Sequence, residues 1–153
     1  MHILLVEDDE RIVSFMKRGL EAEEYEVDTA SGRAETFDLT ESRTYDFIIL
    51  DIFLGSDDGL DICRTLRQQS VQTPILVTTA EGSAETRRAS EEAGADAYLS
   101  KPFPFEDLLA TITRLHQFSL PSDAPAHSRH DHLGSRRKNR ERLQIAGANV
   151  KRP

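Results

Sequence analysis

A single cysteine, Cys63, stands among 153 residues, so there is no internal disulfide framework and nothing points to an oxidising compartment. Cys63 falls within a helical apolar pattern and reads as small core filler. No apolar run approaches the roughly 20 residues of a membrane span, so no membrane partner is expected. The opening Met1-His2-Ile3-Leu4-Leu5-Val6-Glu7 lacks a basic lead and meets carboxylates at once, unlike a secretory leader, and a cytoplasmic location is expected. Basic residues are also scarce over most of the chain. Residues 1–120 hold 24 Asp and Glu against 11 Lys and Arg, residues 121–153 hold 3 against 8, and the net charge is −8. An acidic body repels nucleic acid, so residues 1–120 are not expected to bind DNA themselves.

What is present is an alternation of short apolar strands with longer amphipathic segments, the mark of a parallel α/β sheet. Strands are expected at residues 2–6, 25–30, 46–50, 74–78 and 97–99. Phe47-Ile48-Ile49-Leu50 and Ile75-Leu76-Val77 are continuously apolar, as strands covered on both faces should be. Ile12, Met16 and Leu20, with Val13 beside them, give the first helix a core stripe. A weakly patterned second helix is expected over residues 33–42, and a third carries Leu60, Ile62, Cys63 and Leu66. The last begins at Pro104 and shows Leu108, Leu109, Ile112 and Leu115. The fourth, over residues 83–93, offers only Ala84, Ala89 and Ala93 as inward residues and should be loosely held. Five βα units in about 118 residues predict a compact doubly wound domain with short connections.

In such a sheet the site forms beyond the carboxyl ends of the strands. The first strand runs into Glu7-Asp8-Asp9, the third into Asp51, the fourth into Thr78-Thr79-Ala80 and the fifth into Ser100-Lys101-Pro102. Taken singly these have plain structural readings, and Asp9 is expected simply to cap the first helix. Together they place three carboxylates in one cleft, where they repel unless a divalent cation neutralises them; oxygen ligands suit Mg²⁺. A lysine and a hydroxyl complete the groups needed to hold a phosphoryl whose transfer is mostly positioning and charge neutralisation.

The segments ILLVEDDE, DFIILDIFL, DGLDICRTLR, TPILVTTA and GADAYLSKPF resemble, in order and spacing, the receiver domain of bacterial response regulators over about residues 2–117. The likeness is greatest to the class whose output is a winged-helix transcription factor. It implies a flavodoxin-like (βα)5 fold, a five-stranded parallel sheet of strand order 2-1-3-4-5, with the receiver over residues 1–118. It also implies a two-component switch rather than a conventional enzyme, one that takes a phosphoryl group from a sensor histidine kinase and catalyses its own phosphorylation and dephosphorylation. By the same resemblance Asp51 is the phosphoacceptor, Glu7 and Asp8 are the acid pair, and Lys101 binds the phosphoryl group. Asp8, Asp51 and the main-chain carbonyl of Phe53 would hold Mg²⁺, with Glu7 beside them. Thr79 is the switch hydroxyl and Tyr98 the aromatic that turns inward. The Lys101-Pro102 bond is commonly cis in the family.

Departures from the family pattern carry expectations too. Gly55 stands where that class usually has proline, while Gly59 keeps its spacing. Ala97, Thr111 and Thr113 replace charged residues of the face formed by the fourth helix, fifth strand and fifth helix, so a homodimer through that face should be weak. A haloacid-dehalogenase-type phosphatase would need an acid at Phe53, and a flavin binder would need a Gly/Ser/Thr loop after the first strand. A receiver that is never phosphorylated would not be expected to keep Asp8, Asp51, Thr79 and Lys101. Residues 119–153 read as a basic linker or tail, with 143–150 resembling the first strand of a truncated winged-helix domain. DNA contact would then come only through that missing effector; the alternative is a stand-alone receiver acting by protein contact.

Overall fold

The structure, a computed structural model, describes residues 1–119. Five parallel strands, β1 (His2–Val6), β2 (Glu26–Ala30), β3 (Phe47–Asp51), β4 (Ile75–Thr79) and β5 (Ala97–Ser100), form one sheet in the order β2-β1-β3-β4-β5. The helices are α1 (Glu10–Ala22), α2 (Arg33–Ser42), α3 (Gly59–Gln68), α4 (Ala84–Glu92) and α5 (Phe105–Ser119). This is the expected fold, with boundaries shifted by a residue. β2 begins at Glu26, β3 reaches Asp51, β4 reaches Thr79, and α5 starts after Pro104. The expectations for residues 120–153 lie outside the described residues.

Strand periodicity divides the core. Leu4, Val6, Ile48, Leu50, Ile75 and Val77 face α3, where Leu60, Ile62, Cys63 and Leu66 are buried. Ile3, Leu5, Phe47, Ile49 and Leu76 face the other way, onto Met16 and Leu20 of α1 and Leu108 and Ile112 of α5. Register then sets the site: Val6 pairs with Leu50, Asp51 with Thr78, and Thr79 with Ser100. The residues just beyond these pairs therefore lie level along one sheet edge.

Two features were not expected. Residues 53–58 close into a small antiparallel hairpin in which Phe53 pairs with Asp58 and Leu54 with Asp57. Its tip residue Gly55 has φ +61°, which a proline ring cannot adopt, so the residue that departs from the class pattern is the one this turn requires. In α4, Ala93 and the half-buried Ala89 face the core as expected, but Ala84 is exposed and Ser90 is buried in its stead. Ser83 caps the Thr86 amide and sets the helix phase, and Ser90 satisfies its own hydroxyl on the Thr86 carbonyl. The helix still buries little: Ser90 and Ala93, against three large aliphatics under α3, each worth about 1.5–3 kcal/mol on burial.

Helices α1, α3 and α4 end alike. The Tyr25, Val71 and Ala95 amides donate to the Leu20, Leu66 and Ser90 carbonyls, with Glu24, Ser70 and Gly94 at the positive-φ position of a Schellman motif. Glu24 and Ser70, both at φ 64°, occupy a conformation in which a Cβ is costly. Ser70→Gly should therefore raise stability by about 0.5–1 kcal/mol in urea denaturation, with Glu24→Gly behaving alike. A loss of stability in both variants would contradict the cap assignment.

Candidate functional site

Four of the residues singled out in the sequence meet beyond the carboxyl ends of β1, β3 and β5. Glu7 and Asp51 are buried, at 3% and 6% exposure, because Glu7 directly follows the buried residues 3–6 of β1 and Asp51 is the last residue of the fully buried β3. Asp8 is exposed at the mouth of the cluster, and Asp9 caps α1 by accepting from the Arg11 amide at 2.9 Å. Carboxylate oxygens of Glu7, Asp8 and Asp51 all lie within 4.8 Å of one another. Lys101 reaches in from the end of β5, its Nζ donating to Glu7 Oε2 at 2.9 Å and to Asp51 Oδ2 at 3.2 Å. The other oxygen, Asp51 Oδ1, is buried without a hydrogen-bond partner. The peptide between Lys101 and Pro102 is cis.

Backbone contacts fix this geometry. The Lys101 amide donates to the Thr79 carbonyl at 2.7 Å and the Ile52 amide to the Thr78 carbonyl at 3.0 Å. Behind Asp51 the chain folds back so closely that a Cβ on Gly59 would lie 2.0 Å from the Asp51 carbonyl oxygen, so no larger residue fits there. Phe53, two residues past Asp51, begins the hairpin and is 55% exposed.

The side-chain hydroxyls of Thr79 and Tyr98 hydrogen-bond elsewhere than to this cluster. Thr79 is fully buried, and its hydroxyl accepts from the Glu81 amide at 3.1 Å. The Tyr98 hydroxyl donates to the Glu81 carbonyl at 2.8 Å. Both thus grip Glu81, a residue missed in the sequence although Thr79 and an amide two positions on carry the signature of a hydroxyl turn.

Electrostatics follow the burial. The Glu7 carboxyl is pushed up to about 7, chiefly by burial; the Lys101 hydrogen bond opposes this, and the proximity of Asp51 adds to it. Burial works against the Lys101 charge, but Glu7 and Asp51 more than offset it and lift the ammonium above the usual lysine range. The lone Cys63 is buried filler, as expected: desolvation raises its thiol, which donates to the Ala93 carbonyl at 3.4 Å.

Residues 3–113 match the family model of the response regulator receiver domain. The chain belongs to the response regulator receiver family. The response regulator MprA of Mycobacterium avium (strain 104) is 40% identical over 123 residues, covering 80% of this chain and 54% of its own length. The chain spans about half the length of the curated relatives it matches. Among solved structures, the BeF3-activated receiver domain of Klebsiella pneumoniae RstA superposes with TM-score 0.71 at 32% identity, covering 76% of this chain and 97% of that one. Thermotoga maritima TrrA in complex with Mg(2+)-BeF gives 0.67 at 33% identity, covering 74% and 97%. The receiver is a signalling switch rather than a conventional enzyme, and among its described residues no helix is long and apolar enough to cross a membrane.

The raised Glu7 carboxyl gives the receiver a pH signature. An acid whose folded value lies above its unfolded one stabilises the fold while protonated. That contribution is whole below the ordinary 4.5 and is lost as pH rises through about 7. In chelator, urea-derived stability of the receiver should lose about 1–3 kcal/mol across this window, and Glu7→Gln should flatten the loss. Parallel profiles for the two proteins would rule out Glu7 as the source.

Proposed function

We propose that the receiver takes a phosphoryl group onto Asp51 from the phosphohistidine of a sensor histidine kinase, in a Mg²⁺-dependent reaction in the cytoplasm. The observation that carries this reading is the state of Asp51: Oδ2 is held by Lys101, while Oδ1 is buried and unpartnered beside two further carboxylates. A buried oxygen left without a partner calls for one, and the all-carboxylate set suits a hard divalent cation. Asp8, Asp51 and the Phe53 carbonyl would hold that ion, with Glu7 beside them. When bound, Mg²⁺ supplies positive charge that offsets both the carboxylates and the incoming phosphoryl oxygens.

The chain's own groups do the rest. An Asp51 oxygen attacks phosphorus as the phosphorus–nitrogen bond of the donor breaks, and the imidazole leaves with the bonding pair. Lys101 then exchanges its bond to Asp51 Oδ2 for one to a phosphoryl oxygen. Hydrolysis by water returns the carboxylate and inorganic phosphate, so phosphorylation and its reversal are both self-catalysed steps. Thr79 then leaves the Glu81 amide for the phosphoryl group, and Tyr98 turns into the space released. The thin burial under α4 supports movement there, because little apolar area is lost when it shifts. The output we assign is transcription, through a winged-helix effector whose first strand residues 143–150 resemble, with the receiver domain as residues 1–118.

Acetyl phosphate or beryllofluoride labelling followed by intact-mass or spectroscopic readout tests the acceptor. Labelling should vanish in Asp51→Ala and without divalent metal, and persistence in either case would refute the assignment. Dimerisation through α4, β5 and α5 should be weak. Arg87 is occupied within its own helix by Glu91 at 3.7 Å, and Ala97, Thr111 and Thr113 bring no charge. Equilibrium sedimentation with beryllofluoride should give a mostly monomeric protein at micromolar concentration; a tight dimer would show that other contacts suffice.

A further inference from the structure

Helix α2 has little of its own to hold it. Thr36 is its one fully buried residue, and its N-cap, Gly32, has no side chain to satisfy the free amides of the first turn. One of those amides is satisfied from far away. Asp57, 24 residues on, accepts from the Arg33 amide at 2.9 Å through Oδ2. Its negative charge also suits the positive end of the helix.

Asp57 lies on the second arm of the hairpin that follows Asp51. The hairpin's base is set by Gly59, whose amide donates to the Ile52 carbonyl at 2.7 Å. Its tip adjoins Asp8, since a Cβ on Gly55 would stand 3.7 Å from Asp8 Oδ2. The first arm begins with Phe53. A tie from the second arm to α2 therefore restrains a loop that touches the carboxylate pocket at both ends.

Gly32 is matched to this tie. Its φ of −174° is open to any residue, so backbone freedom does not require glycine there. What requires it is space, because a Cβ would lie 2.6 Å from Asp57 Oδ2.

We propose that Asp57 is a positioning residue of the carboxylate pocket: by capping α2 it fixes the hairpin of residues 53–58, and with it the Phe53 carbonyl, against Asp8 and Asp51. Asp57 touches no ligand itself. The inference rests on the divalent-cation reading of Glu7, Asp8 and Asp51.

The test is Mn²⁺ binding to the full chain after chelator treatment, followed by the resonance signal of free Mn²⁺, together with amide exchange at Arg33. Asp57→Ala should speed Arg33 exchange and weaken Mn²⁺ binding by about tenfold, the usual scale for a residue that orients metal ligands. Asp57→Asn keeps an acceptor oxygen and should stay within about twofold of the parent. Gly32→Ala should reproduce the Asp57→Ala phenotype with Asp57 still present, by displacing a mobile carboxylate rather than backbone. The double variant should bind no more weakly than either single one. Faster Arg33 exchange with unchanged Mn²⁺ affinity would overturn the proposal, and so would unchanged exchange in both Asp57→Ala and Gly32→Ala. Asp8→Ala separates the two levels: if it still binds Mn²⁺ normally, the pocket reading itself has failed and the proposal goes with it.

Discussion

Lys101 lies between two enclosed carboxylates, within 3.2 Å of both, and the rest of the domain is arranged to make that contact possible. Two like charges about 4 Å apart at an intermediate effective dielectric repel by about 4 kcal/mol, a large share of the stability of a small domain. Glu7 and Asp51 can be crowded together because an ammonium faces both of them and because Glu7 is poised to hold a proton. That ammonium must come from a different strand, reaching over β4. The strand order, with β3 between β1 and β4, puts Glu7 beside Asp51 while β5 delivers Lys101 from the other side. Buried hydrocarbon on both sheet faces holds these backbones in register; the carboxylates themselves contribute no net attraction to one another.

The parts of this arrangement that were legible in the sequence are those in which a residue's type and its strand position agree. Four apolar residues ending in Asp51 can be little other than a covered strand opening onto a polar edge, and Glu7 after Leu4-Leu5-Val6 reads likewise. The hairpin of residues 53–58 was not legible, because each arm is two residues long and the second is Asp57-Asp58, which no strand pattern favours. Its logic is tertiary: Asp58 caps α3 through the Leu60 amide while Asp57 caps α2. Ser90 was missed for a related reason. A serine that bonds to the carbonyl four residues back is as buriable as alanine, and periodicity alone cannot separate them. The helix ends at Glu24 and Ser70 hide in the same way, since a Schellman turn announced by neither glycine nor asparagine has no sequence mark.

Arg67 shows how one side chain organises the opposite edge. Its guanidinium donates to the carbonyls of Gly94, Val71 and Thr73 and to the Asp96 carboxylate, joining the end of α3 to the connections that lead into β4 and β5. Asp96 in turn accepts from the Ile75 amide at the start of β4. Bonds of a charged donor to backbone carbonyls tie together loops that would otherwise carry unsatisfied polar groups.

These bonds leave α4 asymmetric. Its far end is fastened three times over, by the Gly94 turn, by Cys63 on the Ala93 carbonyl and by Arg67 on the Gly94 carbonyl. Its near end has a local serine cap and, one loop away, the Glu81 peptide gripped by two hydroxyls. A rod fastened at one end moves as a lever, with its fulcrum near Ala93 and its longest arm at Ala84. At a rise of 1.5 Å per residue that arm is about 13 Å, so a tilt of only about 5° carries the Ala84 end through about 1 Å. That travel is comparable to the change when a threonine hydroxyl exchanges one hydrogen-bond partner for another, so the mechanical scale of the helix is matched to that of the group that would move it.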